Sequence, residues 1–464
     1  MAVEHYDAIV IGAGHGADPL SRALAGAGRK TALIERGQVG GTCTNRGCTP
    51  TKTMLASAHV AHLARRAHEY GVRTGPVEVD VAAVRRRRDN IVRRFRHESR
   101  RQLEATNGLD LIFGEARFTG PKTLSVRQRA NGEELSLTAD RIVIDTGTRP
   151  AAPPIEGLRE IPYLDSTSIL EMDDALPPHL IILGGGYIGL EFAQMFRRFG
   201  SRVTIVEQGD RLLPGEDEDV AAAVADILRE DGVDVRLRAE AVRAQSSGGE
   251  VALTVRGDAS PPMLAGSHLL VATGRVPNTD GLGLETAGVE TDDAGYVRVD
   301  ERLATSAPGV WAMGDVTGGP AFTHVSYDDF RILSRNLLGG ENATTEGRII
   351  PYTVFIDPQL GRVGMTEREA RADGRRIRVA KLPMTEAART VETGETRGFL
   401  KAVVEEDTGR ILGCALLCRE GGEIMSVVQM AMRGGLSYTD VRDTILAHPT
   451  LSEALINLFL QLEA

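Results

Sequence analysis

Two cysteines, Cys43 and Cys48, stand five residues apart in the segment GGTCTNRGCTPTK, residues 40–52. An apparent helix opens at this segment, and the N–H groups and dipole of a helix N-terminus stabilise a thiolate. We therefore expect lowered thiol pKa values and a pair that exchanges disulfides or binds a soft metal ion. The alternative is half of a zinc site, but zinc takes four ligands, and no second Cys/His pair has zinc spacing. We expect no structural metal site, only a transient substrate ion at Cys43 and Cys48.

The elements that must position this pair begin with a dinucleotide-binding pattern. An apolar run, residues 7–11, ends in a glycine turn with Gly12, Gly14 and Ala17 at the fingerprint positions. A helical stretch and a second apolar strand follow, and Glu35 ends that strand. Glycines let the backbone approach a pyrophosphate at a helix N-terminus, and the acid binds ribose hydroxyls. The spacing predicts a βαβ unit that binds a dinucleotide.

The same pattern occurs a second time. The strand at residues 180–183 runs into Gly184, Gly186 and Gly189, and Glu207 ends the next strand. In both copies the acid lies 23 residues after the first glycine. Two dinucleotide sites in one chain indicate electron transfer between two dinucleotides. The alternative is that one copy has lost its ligand.

The rest of the chain repeats this pattern and then departs from it. A strand closing the first unit ends at Thr146 and Gly147, and LLVATG, residues 269–274, repeats that ending after the second unit. A further strand leads to Asp315, and from about residue 347 strand-like runs surround helices. The sequence therefore predicts an α/β protein with two Rossmann-like dinucleotide-binding domains and a C-terminal α+β domain.

Composition excludes several classes of protein. The 464 residues are enough for two to four domains. A chain with a net charge of −10 lacks the positive electrostatic field that attracts nucleic acid. Four cysteines are too few for a disulfide scaffold, and the apolar runs are too short for a membrane helix. Glu4 and Asp7 stand where a signal peptide would be basic. We expect a cytoplasmic enzyme with no nucleic-acid or membrane partner.

Together these motifs resemble the flavin-dependent pyridine nucleotide-disulfide reductases, which include dihydrolipoamide dehydrogenase, glutathione and mycothione reductases, and mercuric reductase. The resemblance covers both fingerprints, the cysteine pair, the Gly314-Asp315 motif and HPTLSE at residues 448–453. It implies a homodimer that uses FAD and NAD(P)H. The implied domains are residues 1–149 for FAD and the redox disulfide, 150–275 for NAD(P)H, 276–346 returning to the FAD-binding central domain, and 347–464 for dimerisation.

The resemblance also implies roles for individual residues near the cysteines. Cys48 matches the sulfur next to the flavin, and Cys43 matches the sulfur that attacks the substrate. Lys52 matches a lysine beside the flavin that pairs with a glutamate, here Glu191. Tyr187 matches the aromatic side chain over the flavin face where nicotinamide enters.

Two further roles follow from the same resemblance. His448 and Glu453 match the general acid/base and the carboxylate that orients it, donated across a homodimer. A thiolate leaving group needs such a proton donor. Glu207 accepts from a ribose 2′-hydroxyl and repels a 2′-phosphate, so we expect NADH, with NADPH left open because Arg211 lies four residues on.

The residues that the resemblance assigns to FAD are Gly12, Gly14, Ala17, Glu35, Arg36, Gly41, Thr42, Lys52, Gly114, Thr146, Gly147, Asp315, Thr323 and His324. Those it assigns to NAD(P)H are Gly184, Gly186, Gly189, Glu207 and Gly274.

The electron acceptor divides the family into branches. Residues 311–319, 322–331 and 362–367 are most similar to the mercuric-reductase-like group that includes the reactive-chlorine-resistance flavoproteins. The chain ends without the cysteine pair of dedicated mercuric reductases. We expect a reductase of metal ions or of another oxidising acceptor. The alternative is a reductase of low-molecular-weight disulfides or a dihydrolipoamide dehydrogenase.

Two features have a structural and a functional interpretation. Cys414 and Cys418 lie in a strand pattern, where small buried side chains are the expectation and a metal relay the alternative. The arginines of residues 85–101 form a basic helix. We expect a solvated helix face that pairs with acidic residues, and a nucleic-acid surface is the alternative.

Overall fold

The structure, a computed structural model, describes residues 3–172, 175–258 and 262–463. The outermost residues of the predicted first and last domains, 1–2 and 464, therefore lie outside the described residues. The strands are β1 (Val3–Ile11), β2 (Thr31–Glu35), β3 (Leu109–Gly120), β4 (Thr123–Gln128), β5 (Glu134–Ile144), β6 (Thr148–Pro150), β7 (His179–Leu183), β8 (Arg202–Val206), β9 (Asp234–Arg236), β10 (Ala239–Ser247), β11 (Glu250–Gly257), β12 (Met263–Gly266), β13 (His268–Val271), β14 (Arg275–Pro277), β15 (Val310–Ala312), β16 (Tyr352–Val354), β17 (Gln359–Gly364), β18 (Ile377–Pro383), β19 (Phe399–Glu405) and β20 (Ile411–Cys418). The helices are α1 (Ala17–Gly26), α2 (Gly41–Arg46), α3 (Cys48–Arg66), α4 (Val81–Glu104), α5 (Tyr187–Phe199), α6 (Glu218–Glu230), α7 (Leu284–Ala287), α8 (Thr323–Gly339), α9 (Glu367–Ala372), α10 (Ala388–Glu392), α11 (Gly421–Arg433), α12 (Tyr438–Arg442) and α13 (Ala454–Leu460).

The chain divides into two compact units. Unit 1 consists of Met1–Thr53, Arg85–Ala151 and Gly274–Arg348, and unit 2 of Met54–Val84, Ala152–Thr273 and Ile349–Ala464. Each unit is built around its own sheets.

Unit 1 contains a parallel sheet whose strands run in the order β3-β2-β1-β5-β15. An antiparallel strand, β4, pairs with both β3 and β5. Side chains alternate between the two faces of a strand, so Ile9 and Ile11 enter one core while Ala8 and Val10 enter another. This burial on both faces explains the continuous apolar run of β1.

The first strand is longer than the sequence predicts. β1 begins at Val3, where it pairs with Ser136 of β5, and the predicted run covers only residues 7–11. The additional residues include exposed polar side chains, and such a stretch has no apolar run to reveal it. The sheet partner, rather than local hydrophobicity, determines where the strand starts.

Unit 2 contains the second βαβ unit and the C-terminal sheet. Its parallel sheet has the order β13-β7-β8-β9, with β10-β11-β12 as a separate antiparallel sheet. The C-terminal segment forms a five-stranded antiparallel sheet, β16-β17-β20-β19-β18. Residues of α11 and α13 pack in one core with β19 and β20. The predicted fold class, two Rossmann-like units and a C-terminal α+β region, is confirmed.

Candidate active site

The cysteine pair lies where two helices of unit 1 begin. Cys43 is in the short helix α2, and Cys48 is the first residue of α3. Gly47 separates the two helices, so the apparent single helix is in fact two. Both cysteines are thiols, with Cys43 half-buried and Cys48 exposed. The Cys48 Sγ lies 3.5 Å from the Oγ1 of Thr323, the first residue of α8. Two helix N-termini therefore meet at Cys48.

The prediction that both thiols have lowered pKa values is wrong for Cys43. Its hydrogen bond with Cys48 raises the pKa of Cys43, and burial of the thiol raises it further. Ionisation of both adjacent thiols is unfavourable, because the two thiolates would repel each other. A thiolate at Cys48 therefore makes the Cys43 thiol harder to deprotonate.

The first fingerprint turn has the close backbone contacts that a dinucleotide cradle needs. Gly12 has φ +101°, and a Cβ there would lie 2.2 Å from the carbonyl oxygen of Asp145. Glu35 at the end of β2 accepts the Ala13 N–H at 2.9 Å and the Gly37 N–H at 2.6 Å. The carboxylate is thus fixed beside the turn, where it can also accept ribose hydroxyls. These residues fit the adenosine and pyrophosphate of FAD.

The redox segment packs directly on this turn. A Cβ added to Gly41 would lie 2.9 Å from the Cα of Gly14, so neither position has room for a larger side chain. Gly41 also has φ +57°, in the left-handed region. Because α2 begins at Gly41, this contact fixes Cys43 relative to the dinucleotide turn.

Asp145 is a buried acid that the sequence-based site assignments miss. Its Oδ2 accepts the Ala17 N–H at 3.1 Å. Its carboxyl lies 2.8 Å from the position of a Cβ on Gly14 and equally close to that of a Cβ on Gly314. Burial raises the pKa of Asp145 well above its usual value, as do the nearby carboxylates. Burial therefore favours the protonated, uncharged form of this acid beside the turn assigned to the pyrophosphate.

The remaining residues assigned to FAD also lie in unit 1. Asp315, in the turn after β15, accepts a hydrogen bond from Thr148 at 2.9 Å. The Gly314 N–H donates to Asp329 at 2.8 Å. His324 stacks on Phe322, with ring centroids 5.3 Å apart. The same unit also contains Arg36, Thr42, Lys52, Gly114, Thr146 and Gly147.

The second fingerprint turn, in unit 2, repeats this geometry. Gly184 has φ +106°, and a Cβ there would lie 2.6 Å from the Ala272 carbonyl oxygen. Glu207 accepts the N–H groups of Gly185 and Gly209, each at 2.7 Å. The acid is held beside the second turn as Glu35 is beside the first.

The other residues assigned to NAD(P)H, together with Tyr187 and Glu191, are distributed over both units. Gly186 precedes α5 as its N-cap, and Tyr187 and Gly189 lie in the first turn of that helix. Gly274 begins the last segment of unit 1. Glu191 of α5 accepts the Phe355 N–H at 3.0 Å within unit 2. The pairing of Lys52 with Glu191 stays a prediction.

His448 and Glu453 contact each other as predicted. The His448 Nδ1 lies 2.9 and 3.1 Å from the two carboxylate oxygens of Glu453. A carboxylate at Nδ1 favours the tautomer with its proton there, which leaves Nε2 to exchange protons. The imidazole is 69% exposed, so Nε2 can reach another molecule.

Comparison with known proteins assigns the chain to a family. The model of the pyridine nucleotide-disulphide oxidoreductases matches residues 6–329, and the model of their dimerisation domain matches residues 350–458. The chain belongs to this oxidoreductase family. The resemblance of the motifs is thereby confirmed.

Individual members of the oxidoreductase family match over nearly the whole chain. The probable pyridine nucleotide-disulfide oxidoreductase RclA of Escherichia coli is 41% identical over 98% of both chains. A mercuric reductase of Streptomyces lividans is 36% identical over 97% of this chain and 94% of its own. A solved Cu(II) complex of RclA, described as an HOCl-induced flavoprotein disulfide reductase, is 40% identical over 99% of both chains, with TM-score 0.90.

The family assignment confirms the predicted enzyme class. This oxidoreductase is FAD-dependent, takes electrons from NAD(P)H and passes them through a redox disulfide to an oxidising acceptor. It carries the dimerisation domain of its family.

Several other predictions concern parts of the molecule outside the turns. Cys414 and Cys418 belong to β20 and are buried in the core, and burial raises the pKa of each to about 12. They are small core residues, as expected. Within the described ranges, no group of three or more His, Cys, Asp or Glu side chains could hold a metal ion. No helix in that same part of the chain combines the length and apolar character of a membrane span.

Replacing Asp145 with Asn keeps the acceptor for the Ala17 N–H and removes the acid. A pKa raised in the folded state costs stability as pH rises from the unfolded pKa of about 4 through the folded value. Asp145→Asn lacks this loss, so its advantage in melting temperature over the parent should grow between pH 5 and pH 8. Thermal unfolding of the two FAD-loaded proteins measures it. A difference that does not change with pH would show that folding does not raise the pKa of Asp145.

Replacing Thr323 with Val removes the hydroxyl beside Cys48. A hydrogen bond to a charged group contributes roughly 1 kcal/mol or more, so the midpoint for thiolate formation should rise by about 0.5–1 pH unit. The rate of Cys48 alkylation by iodoacetamide against pH, with the site read by mass spectrometry, gives the midpoint. Thr323→Ser keeps the hydroxyl and should retain the parent midpoint. Equal shifts in both variants would mean that packing, not the hydroxyl, is responsible.

Proposed function

We propose that the oxidising acceptor is a thiophilic metal ion of the Cu(II) type, reduced by the thiols of Cys43 and Cys48. The observation that carries this proposal is the full-length similarity to RclA, of which a Cu(II) complex has been solved. The site supports it, because Cys48 is exposed beside Cys43. Thiolates are the ligands that favour Cu(I), the product of the reaction.

In the proposed step, the electrons that the dithiol loses equal those that the metal ions gain. The two thiols lose two electrons and two protons and join as a disulfide. Two Cu(II) ions each gain one electron and become Cu(I). Cys48, at two helix N-termini, is the thiol that ionises first, and Cys43 brings the second proton and the second sulfur. In the site proposed here the metal is a substrate at two sulfur ligands, not a resident ion.

The residues around Cys43 and Cys48 allow their disulfide to be reduced again after each turnover. FAD, when bound, supplies the two-electron carrier between the nicotinamide and the disulfide. We assign its adenosine and pyrophosphate to the turn of Gly12 and Gly14 with Glu35, and its ribitol to Asp315. Lys52 provides positive charge beside the flavin, and Tyr187 covers the face where nicotinamide enters. The predicted domain boundaries and a cytoplasmic location, where NAD(P)H is available, belong to the same proposal.

We also propose that NADH is the preferred reductant. Glu207 is fixed by the N–H groups of Gly185 and Gly209, so its carboxylate cannot easily turn away from a ribose 2′ position. A 2′-phosphate there would meet a negative charge. Arg211, the one nearby cation that sequence suggests as a phosphate ligand, pairs with Asp210.

Replacing Glu207 with Gln should shift the cofactor preference. The amide keeps a hydrogen-bond acceptor for the ribose but removes the repulsion, so the ratio of kcat/KM for NADPH to that for NADH should rise about tenfold, the effect of roughly 1.4 kcal/mol. Arg211→Gln is the control and should leave the ratio within about twofold. A larger change in the control would place the specificity at Arg211 instead.

A homodimer completes the proposed site through His448. The matched dimerisation domain exposes large apolar side chains, among them Ile445, which is 98% exposed, and Met430, which is 69% exposed. Large apolar side chains exposed in a dimerisation domain are available for a surface that another chain covers. The His448 imidazole, oriented by Glu453, then serves as acid/base for the cysteines of the partner subunit.

A second acceptor class, low-molecular-weight disulfides, is favoured by one specific observation. The bond between His448 and Glu453 orients an imidazole that metal reduction does not require. Thiol–disulfide exchange needs a proton donor for the leaving thiolate, and a positioned general acid contributes about 10²–10⁴-fold.

Stopped-flow reoxidation separates the two acceptor classes. The NADH-reduced enzyme is mixed anaerobically with Cu(II), Hg(II), oxidised glutathione, oxidised mycothiol or lipoamide, and the parent is compared with His448→Ala. We expect fast reoxidation by the metal ions, changed less than about tenfold by the substitution. Fast reoxidation by a disulfide that falls by about 10² or more in His448→Ala would instead assign the enzyme to the disulfide reductases.

A further inference from the structure

A pocket of about 350 Å³ opens in unit 1 beside the basic helix α4. This volume lies in the range of small-molecule sites, about 300–1,000 Å³. The lining residues are Gly37, Gln38, Val39, Arg96, Arg100, Phe113 and Arg129. None of the residues assigned to FAD or NAD(P)H lines the pocket, so neither assigned dinucleotide accounts for it.

The lining carries three guanidinium groups and no acidic side chain. Arg129 donates to the Gly37 carbonyl oxygen at 3.0 Å, which holds it against the loop before the redox helix. Arg100 lies over the Phe113 ring, 5.3 Å from its centroid, and pairs with Glu104 outside the lining. Each cation is therefore held at the pocket by a contact that leaves donors for a ligand, since a guanidinium has five N–H groups.

Arg96 lies closest to the cysteine segment. Its Nε donates to Asn45 Oδ1 at 2.6 Å, and burial together with the charge of Arg46 lowers the pKa of Arg96. Holding the Arg96 charge in a partly buried place near another cation is unfavourable, and an anion bound beside Arg96 in the pocket reduces this cost.

We propose that this pocket binds a small phosphate-bearing anion. Arginine is the residue whose planar fork of N–H groups matches a phosphate in a bidentate way, and three arginines line this pocket. Phe113 supplies an apolar wall to the pocket. The basic helix thus has a specific function on the face that lines the pocket, while its outer face carries ion pairs such as Arg101 with Glu98.

The anion site is connected to the redox pair through Asn45. This residue lies between Cys43 and Cys48 in the sequence, and its Nδ2 donates to the carbonyl oxygens of Val39 and Gly41, each at 2.9 Å. An anion that holds Arg96 therefore acts on the residue that ties α2 to the loop before it. Occupancy should change the reactivity of Cys43 as well as the charge of the pocket.

Titration of the FAD-loaded protein with inorganic phosphate tests the proposal. Isothermal calorimetry at constant ionic strength, with chloride as the reference salt, measures binding to the parent and to Arg100→Gln/Arg129→Gln. The matched control, Arg93→Gln/Arg101→Gln, removes the same charge from two exposed arginines of α4. We expect saturable binding that the pocket variant weakens by tenfold or more, with the control within about twofold. Phosphate should also change the rate of Cys43 alkylation in the parent but not in the pocket variant.

Three results would overturn the proposal. The first is an equal loss in the control, which would show a general effect of charge. The second is no saturable binding to the parent up to about 10 mM phosphate. The third is release of FAD from the pocket variant at unchanged melting temperature of the apoprotein, which would make the pocket part of the dinucleotide site. If the double variant does not fold, Arg100→Gln alone, at a side chain 55% exposed, replaces it.

Discussion

The site depends on one close approach of two backbone segments, that of Gly41 to Gly14. A Cβ on Gly41 would come within 2.9 Å of the Gly14 Cα, so the start of the redox helix lies directly on the turn assigned to the flavin nucleotide. Backbones can approach this closely only where side chains are absent. Because Cys43 follows two residues after Gly41 on a short helix, its distance from that turn is fixed by the same contact. Electron transfer between a dinucleotide and a disulfide needs this proximity.

Charge in unit 1 is arranged around that contact. Negative charge is favoured at Cys48, where α3 and α8 begin and the Thr323 hydroxyl lies 3.5 Å away. It is disfavoured at Cys43, whose pKa is raised by Cys48 and by burial, and at Asp145, whose pKa is raised chiefly by burial. The two sulfurs therefore lie in different electrostatic surroundings.

Much of this organisation is predictable from sequence, because the dinucleotide turns are local. Gly12 and Gly184 require positive φ, and each acid lies a fixed distance along the chain, so spacing alone indicates both βαβ units. The contact of His448 with Glu453 is predictable for the same reason, since five residues separate them. Burial of Cys414 and Cys418 follows from a strand pattern.

The features that sequence does not reveal depend on distant segments. Thr323 meets Cys48 across 275 positions, and Asp145 meets Ala17 across 128. A raised pKa for Asp145 could have been suspected from an acid ending an apolar strand, but it is chiefly burial that raises it. The raised pKa of Cys43 reverses the expectation from helix dipoles, because the nearest group is another thiol rather than a free helix terminus.

The most direct test of this account counts electrons. Anaerobic reductive titration of the purified FAD-loaded enzyme should require two electrons beyond the two that the flavin takes, because the disulfide is a two-electron couple. Cys48→Ser should lose this additional pair of electrons while still binding FAD. A parent enzyme that is fully reduced by two electrons would contradict the account, since Cys43 and Cys48 would then lie outside the path of electrons.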